Sequence, residues 1–214
     1  MSFLMITAMS IMLPRANVAA GRICEVLEME PSVNDPEDPV KPESKEAGTV
    51  EFDHVSFAYP EAGENVINDI TFKAEKGQTV AIIGSTGSGK STLINLIPRF
   101  YDVTKGCVKV DGVDVRNMTQ HDLRNCLGYV PQKGVLFSGT IDSNIRYGNP
   151  EMSEEDMKLA AQIAQSDDFI EAKPEGYDAP ISQGGTNVSG GQKQRLSIAR
   201  ALAKKPEILI FDDS

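Results

Sequence analysis

A run of glycines and hydroxyl residues that ends in a lysine is the clearest site of possible chemistry in this sequence. Residues 84–91 read GSTGSGKS and match the phosphate-binding pattern G-x-x-x-x-G-K-[ST]. In such a loop successive backbone N–H groups point at the phosphates of a nucleotide, the lysine reaches the β- and γ-phosphates, and the last hydroxyl binds magnesium. The pattern predicts a nucleotide site in which Lys90 and Ser91 have these two roles. A glycine-rich turn without a ligand is the alternative interpretation.

A carboxylate that follows an apolar run could complete this site. Residues 208–212 read ILIFD, so Asp212 comes directly after four apolar residues. If these four form a buried parallel strand, Asp212 lies at the carboxyl edge of the sheet beside the phosphate-binding loop, where it would hold magnesium. Any buried strand that ends in a turn gives the same pattern, so this prediction depends on its combination with Lys90.

A second candidate anion site lies about a hundred residues further along the chain. Residues 188–192 read VSGGQ and precede a helical pattern. Ser189 and the two glycines would expose backbone N–H groups at the start of that helix, whose dipole favours negative charge. A simple helix cap made by Ser189 is the alternative interpretation.

The surrounding patterns predict the elements that must position these motifs. Residues 79–83 form a short apolar run rich in β-branched residues, which is typical of a buried parallel strand that leads into a helix, here over residues 90–99. The other predicted elements are strands over residues 50–57, 70–74, 127–130 and 208–211, a hairpin over 107–115, and helices over 153–171 and 190–204. The sequence therefore predicts an α/β fold.

Charge and composition narrow the function classes. The formal net charge of −10 argues against a nucleic-acid-binding surface, which requires a basic patch. Residues 31–48 hold four prolines and many charges with almost no apolar side chains, and they are predicted to be a linker. The three cysteines have no metal-binding or redox spacing, which favours a reducing compartment.

The amino-terminal segment is apolar but short. Residues 1–13 carry no charge, lack the basic start of a signal peptide, and fall short of the ~20 apolar residues of a membrane-spanning helix. Residues 1–30 are predicted to form one helix, bent near Pro14 or Gly21.

The combination of motifs resembles one family. SGGQ followed by KQRLSIARAL and an acidic strand, all downstream of the phosphate-binding loop, is similar to the ATP-binding cassette (ABC) ATPases over residues 49–214. The resemblance implies an α/β P-loop NTPase of ABC type, with a parallel RecA-like core sheet, an antiparallel β subdomain and an α-helical subdomain. It also implies ATP and Mg²⁺ as cofactors, and a second subunit whose ATP is clamped by the VSGGQ signature of this chain.

The resemblance assigns roles to individual residues. The residues implied to bind ATP are Tyr59, Gly84, Ser85, Thr86, Gly87, Ser88, Gly89, Lys90, Ser91 and Thr92, and those of the signature are Val188, Ser189, Gly190, Gly191 and Gln192. Magnesium is assigned to Ser91, Gln132 and Asp212, and catalysis to Gln132 and Asp213. Tyr59 would stack on adenine, with a surface or core tyrosine as the alternative. Gln132 would contact the metal and the attacking water, with an ordinary loop amide as the alternative.

Two segments point to an exporter. Residues 136–141 and 144–148 resemble the part of exporter-type cassettes that meets the coupling helices of a transmembrane domain, as in exporters of the multidrug and lipid type. Residues 1–30 resemble the cytosolic end of the last transmembrane helix. These likenesses imply a cassette over residues 49–214 on the cytoplasmic side of the cell membrane, after a linker over 31–48. The chain is then expected to be a piece of a longer protein, cut at both ends and inactive as an ATPase by itself.

Other interpretations remain open at this point. A soluble cassette ATPase of the DNA-repair or translation type would share the nucleotide motifs but lack the exporter-like segments and the apolar start. A non-functional partial reading frame would also explain the incomplete set of family motifs.

One catalytic position departs from the family pattern. The family usually has a glutamate after the Asp212 position, and this chain has Asp213, which is shorter by one methylene. Exporters of this kind pair such a subunit with a glutamate-bearing partner, which implies a heterodimer with one weak and one competent site.

Replacing Asp213 with glutamate should raise ATP hydrolysis at the site of residues 84–91. A displacement of about 1 Å in a catalytic group costs on the order of a hundredfold in rate, so the longer side chain should recover much of that loss. The rate should be measured in a complex whose partner site has been disabled. An unchanged rate there would contradict the prediction.

Overall fold

Within residues 2–42, 47–60 and 62–212, which the computed structural model describes, the chain forms seven α-helices and eight strands. The helices are α1 Ser2–Leu27, α2 Lys90–Asn95, α3 Gln120–Cys126, α4 Ile141–Ile145, α5 Glu154–Ile163, α6 Asp167–Glu171 and α7 Gly190–Ala203. The strands are β1 Val50–Phe57, β2 Ile67–Ala74, β3 Lys105–Val110, β4 Val113–Asp114, β5 Leu127–Val130, β6 Gly139–Thr140, β7 Pro180–Ile181 and β8 Ile208–Phe211. A first compact unit ends at Asn34 and a second begins at Asp35.

The first unit contains α1, which runs through Pro14 as the predicted single helix and ends at Leu27. The bend expected near Pro14 or Gly21 stays a prediction. Its apolar side chains, such as Phe3 and Leu13, are exposed. No helix in the described ranges combines the length and the apolar character that crossing a bilayer requires.

An antiparallel sheet in the order β2-β1-β3-β4 opens the second unit. The predicted hairpin is present, with Asp111 and Gly112 both at positive φ between β3 and β4, the conformation that Asp-Gly turns favour. Phe52 is fully buried and stacks on Phe72 at 4.7 Å between ring centroids. The sheet and the nearby helices form a first core cluster, which includes Leu96, Val108 and Leu123.

A parallel pair of strands, β5 and β8, lies beside this cluster, with Leu127 opposite Ile208. The strand predicted over residues 79–83 is wrong, because a strand requires a hydrogen-bonded neighbour and no segment of the described residues pairs with it. Its side chains are exposed, with Ile83 at 93%. The predicted strand over 208–211 is present, but only Ile210 is fully buried.

The predicted helices over 90–99 and 153–171 are both shorter than expected. Pro98 disfavours helical geometry in the residue before it, and Arg99 has a φ of 53°, so α2 gives way to turns after Asn95. Gln165 has a φ of 52° and separates α5 from α6. The predicted start at Ser153 is confirmed, because its side chain accepts a hydrogen bond from the Asp156 N–H.

A second core cluster holds α4 to α7 and the short β6–β7 pair. Its buried members include Leu136, Ile141, Met157, Ile170 and Leu196. This cluster is the α-helical part of the unit, and the helix predicted over 190–204 is present in it as α7.

The acidic Pro-rich segment has no helix or strand in its described part, but its second half is attached to the second unit. The Gln120 N–H donates to the Asp35 carboxylate at 2.8 Å, and the Val40 N–H donates to the Asn117 carbonyl at 2.8 Å. Buried Asp111 accepts from the Gly48 N–H at 2.7 Å. These bonds hold the segment against the antiparallel sheet and α3.

Replacing Leu209 with lysine should lower self-association of the chain and leave its melting temperature nearly unchanged. Leu209 is 41% exposed on β8, and a charge on an exposed strand discourages edge-to-edge pairing. In the matched variant Ile210→Lys the charge is buried, and unfolding should become easier by about 3 kcal/mol or more. Light scattering against concentration and thermal melting check both. Equal melting of the two variants would contradict the burial pattern of β8.

Candidate functional site

The phosphate-binding loop ends at α2, and Lys90 is the first residue of that helix. The Lys90 Nζ donates to the backbone carbonyls of Gly84 at 3.0 Å and of Ser85 at 2.9 Å, so the side chain folds back over the loop. An ammonium group held at the mouth of a loop of this type is placed to meet the phosphates of a nucleotide.

The backbone of the loop requires glycine at its junction with α2. Gly89 has a φ of 89°, and a Cβ there would approach the Ile67 Cδ1 to 2.9 Å. Gly87 also has a positive φ of 81°, but a Cβ there would meet nothing within 4 Å. Ser85, Thr86 and Ser88 lie in the same exposed turn. The loop is therefore open to solvent at its middle and tightly packed where the helix begins.

Two of the three residues predicted to bind magnesium, Ser91 and Asp212, are in direct contact. The Ser91 hydroxyl donates to the Asp212 Oδ1 at 2.8 Å. Hydroxyl and carboxylate oxygens are ligands that magnesium prefers, and the ion commonly takes one or two carboxylates together with nucleotide phosphates and water. The described residues contain no group of three or more His, Cys, Asp or Glu side chains able to hold a metal. The pair fits a magnesium ion that is bound together with a nucleotide.

Gln132 lies two residues beyond β5, in an exposed loop. The carboxyl ends of β5 and β8 are joined, because the Asp212 N–H donates to the Val130 carbonyl at 2.9 Å. The loop then packs on α7, since a Cβ at Gly134 would come within 2.8 Å of the Lys193 carbonyl oxygen. The pairing of these strand ends agrees with the predicted neighbourhood of Gln132 and Asp212. Asp213 lies outside the described residues, and its catalytic role stays a prediction.

Tyr59 lies next to the start of α2. Its hydroxyl shares a hydrogen bond of 2.9 Å with that of buried Thr92. Its ring meets Phe57 and Tyr101 in edge-to-face contacts, with centroids at 4.9 and 5.2 Å. The ring is partly buried and held near the phosphate-binding loop, and its stacking on adenine stays a prediction.

The signature forms a capped helix start. The Ser189 hydroxyl accepts from the Gln192 N–H at 3.3 Å, and the Gln192 side chain accepts from the Ser189 N–H at 2.9 Å. Val188 is buried in the second core cluster, whereas Gly190 and Gly191 are exposed and would leave space even for a Cβ. The predicted helix cap at Ser189 is present, and the exposed glycines leave open space at the start of α7. Binding of a partner's ATP by the signature stays a prediction.

The two motifs belong to different core clusters. The helix α2 contributes Leu93 and Ile94 to the first cluster, and α7 contributes Leu196 and Ala199 to the second. The structure thus brings Lys90 and Asp212 to one site and places the signature on the other cluster.

A buried pair on α4 and α7 was not assigned a role from the sequence. Asn144 is 1% exposed and donates to the carbonyls of Phe137 at 2.8 Å and Thr140 at 2.9 Å, while its Oδ1 accepts from Arg200 at 2.8 Å. The Arg200 guanidinium lies over the ring of Tyr147, and burial lowers its pKa. In the sequence this pair is indicated only by a polar residue on an apolar helix face. In the structure it holds the exporter-like segments against the signature helix.

A second pair without a role predicted from the sequence lies near Ser91 and Asp212, which are predicted to bind magnesium. The Tyr129 hydroxyl on β5 donates to the Asn95 Oδ1 on α2 at 2.8 Å. Burial, and then the charge of Asp212, raise the pKa of Tyr129 to about 12.

Comparison with known proteins identifies the family. The model of the ABC transporter family matches residues 67–214. An ABC transporter ATP-binding protein of Mycobacterium tuberculosis is 46% identical over 217 residues, which cover 100% of this chain and 37% of the relative. A multidrug efflux ATP-binding/permease protein of the same organism is 42% identical over 199 residues, covering 93% of this chain and 16% of the relative.

A solved structure agrees with the sequence relatives. The structure of a bacterial Atm1-family ABC exporter with ATP bound superposes with a TM-score of 0.85 at 38% identity, covering 93% of this chain and 34% of that chain. The predicted fold class, an α/β P-loop NTPase of ABC type, is confirmed. The chain spans 37% of the length of the first relative, 34% of the exporter chain and only 16% of the efflux protein. Over that length it carries the ATP-binding domain, and it belongs to the ABC transporter family.

Proposed function

We propose that this chain is the ATP-binding part of an ABC exporter and couples ATP binding and hydrolysis to the export of a substrate across a membrane. The observation that carries the proposal is the contact of 2.8 Å between Ser91 and Asp212, at the end of a loop over which the ammonium group of Lys90 is folded. Relatives named as a multidrug efflux ATP-binding/permease protein and an Atm1-family exporter support export over a soluble cassette function.

When ATP binds, the side chains at the loop would give up hydrogen bonds within the protein and bind the phosphates or the metal instead. Lys90 donates to two backbone carbonyls that phosphate oxygens would replace. The Ser91 hydroxyl and the Asp212 carboxylate would both turn from each other to the metal. Magnesium, when bound, supplies positive charge that offsets the charge of the β- and γ-phosphates. The backbone N–H groups of residues 84–89 orient the phosphates, and Tyr59 would position the base.

Hydrolysis requires a group that orients water, and here the proposal assigns Gln132 and Asp213. The shorter carboxylate of Asp213 suggests a slow site. We therefore propose a heterodimer in which the partner has the faster site and this chain lends its signature to it. The location of the signature on a different core cluster from the phosphate-binding loop supports two separate ATP molecules.

Transport requires contact with a transmembrane domain. The exposed, stacked rings of Phe137 and Tyr147, at 4.4 Å between centroids, lie in the two exporter-like segments and offer a surface for coupling helices. The proposal places residues 1–30 at the end of a transmembrane helix, residues 31–48 in a linker, and residues 49–214 in the cassette, on the cytoplasmic side of the membrane. The proposal includes no nucleic-acid partner, because a net charge of −10 disfavours binding to a phosphate backbone.

Replacing Lys90 with alanine should weaken ATP binding by the purified chain at least about tenfold, because an ammonium–phosphate contact is lost. The anisotropy of a fluorescent ATP analogue with Mg²⁺ measures the affinity. The control is Lys158→Ala, which removes an exposed lysine paired with Glu154 on α5. Equal affinities of the two variants would contradict the site. Sustained Lys90-dependent hydrolysis by the chain alone would contradict the need for a second subunit.

Replacing Ser189 with alanine should lower ATP hydrolysis in the assembled transporter by about tenfold or more, because the signature would lose a group that meets the partner's ATP. Ser153→Ala is the matched control, since both serines cap a helix through the N–H three residues on. Each variant should lose about 1 kcal/mol of stability. Phosphate release and thermal melting separate the two effects. An equal change of hydrolysis in both variants would show that Ser189 is only a cap.

A further inference from the structure

We infer that Tyr129, acting through Asn95, is a positioning residue that fixes Asp212 and Ser91 in the geometry of the magnesium site. The inference rests on the proposed function, because it concerns the same ATP site. Neither Tyr129 nor Asn95 belongs to the motifs that bind nucleotide. Their contacts nevertheless connect α2, which carries Ser91, with the strand pair of β5 and β8, which ends at Asp212.

The first connection is between the strands. Tyr129 lies opposite Ile210 in the parallel ladder of β5 and β8, two residues before Asp212. The ladder continues past β8, because the Asp212 N–H donates to the Val130 carbonyl at 2.9 Å. The backbone of Asp212 is therefore held by the strand that carries Tyr129.

The second connection is between each strand and α2. Ser91 and Asn95 are four residues apart on this helix, so their side chains lie on the same face, one turn apart. Ser91 contacts Asp212 at 2.8 Å, and Asn95 accepts from Tyr129 at 2.8 Å. The helix is thus joined to both strands. The side chains of these four residues and the backbone hydrogen bond of Asp212 form a closed ring of contacts.

The phenol ring is fixed for this role. Tyr129 is partly buried against the first core cluster and meets Phe100 edge to face, at 5.7 Å between centroids. Its hydroxyl donates to the Asn95 Oδ1 at 2.8 Å, so the side chain is held both at the ring and at the oxygen. Its loss would release Asn95 and one turn of α2 from β5, and with them the orientation of Ser91.

Loss of the contact between Tyr129 and Asn95 should lower the affinity for Mg²⁺ and leave the contacts between the loop and the nucleotide unchanged. Residues that orient metal ligands typically change metal affinity by about 10–100-fold when they are removed. Lys90 and the loop backbone have no hydrogen bond to Tyr129 or Asn95 among the described contacts, so ATP binding without Mg²⁺ should stay the same. A purely structural residue would instead weaken binding with and without the metal.

The test is Tyr129→Phe, which keeps the ring and removes only the hydroxyl. In the purified chain, titration of Mg²⁺ at a fixed concentration of a fluorescent ATP analogue should show a half-saturating Mg²⁺ concentration about tenfold higher than in the wild type. The affinity for the analogue in EDTA should change less than about twofold. Asn95→Leu should give the same shift, and the double variant should add nothing beyond it, because both remove one bond. Tyr177→Phe is the control, since Tyr177 is partly buried against the second cluster.

The outcomes separate this inference from the proposed function. An unchanged Mg²⁺ requirement in Tyr129→Phe, with Lys90-dependent binding intact in the wild type, overturns the inference alone. An equal loss of affinity with and without Mg²⁺ overturns it as well, because Tyr129 would then be structural. If the wild-type chain shows no Mg²⁺-dependent, Lys90-dependent binding, the proposed function fails and the inference fails with it.

Discussion

The hydrogen bond between Ser91 and Asp212 is the contact on which the nucleotide site depends, and it joins residues 121 positions apart. Such a bond contributes only about 1 kcal/mol when it is partly open to water, so it cannot by itself bring its two ends together. The ends are held by larger structures, namely the first core cluster under α2 and the ladder between β5 and β8. Because the bond is weak, it can open for a metal, while the frame keeps both oxygens in place.

The second core cluster has a different task, which is to hold the signature helix and the exporter-like segments as one body. Buried Asn144 makes hydrogen bonds to loop carbonyls on one side and to Arg200 on the other. Arg200 in turn donates to the Val135 carbonyl at 2.8 Å and covers the ring of Phe137. A fully satisfied buried polar network of this kind specifies one arrangement, because any alternative leaves a buried donor or acceptor without a partner. The exposed aromatic surface and the helix that carries the signature are connected through a few short bonds.

The structural features that could be predicted from the sequence are those that depend on residues close together in the chain. The cap at Ser153 and the Asp111-Gly112 turn follow from local rules, and both were predicted. The strand over residues 79–83 was not correct, because an apolar run becomes a strand only where another segment pairs with it.

Neither the break between α5 and α6 nor the contact between Asn95 and Tyr129 could be predicted from the sequence. The break between α5 and α6 depends on the left-handed conformation of Gln165, which its residue type does not predict. Asn95 and Tyr129 are 34 positions apart, and nothing in either local pattern indicates that they meet. Only the crossing of a helix over a parallel strand pair puts them together.

The close contact at Gly134 has a mechanical consequence. Because a Cβ at this residue would come within 2.8 Å of the Lys193 carbonyl oxygen, glycine lets the loop after β5 lie close to the backbone of α7. A shift of this loop toward α7 would meet the helix backbone at once, so either the helix or the loop would have to move. In the proposed function this contact would connect the loop that carries Gln132 with the helix that carries the signature.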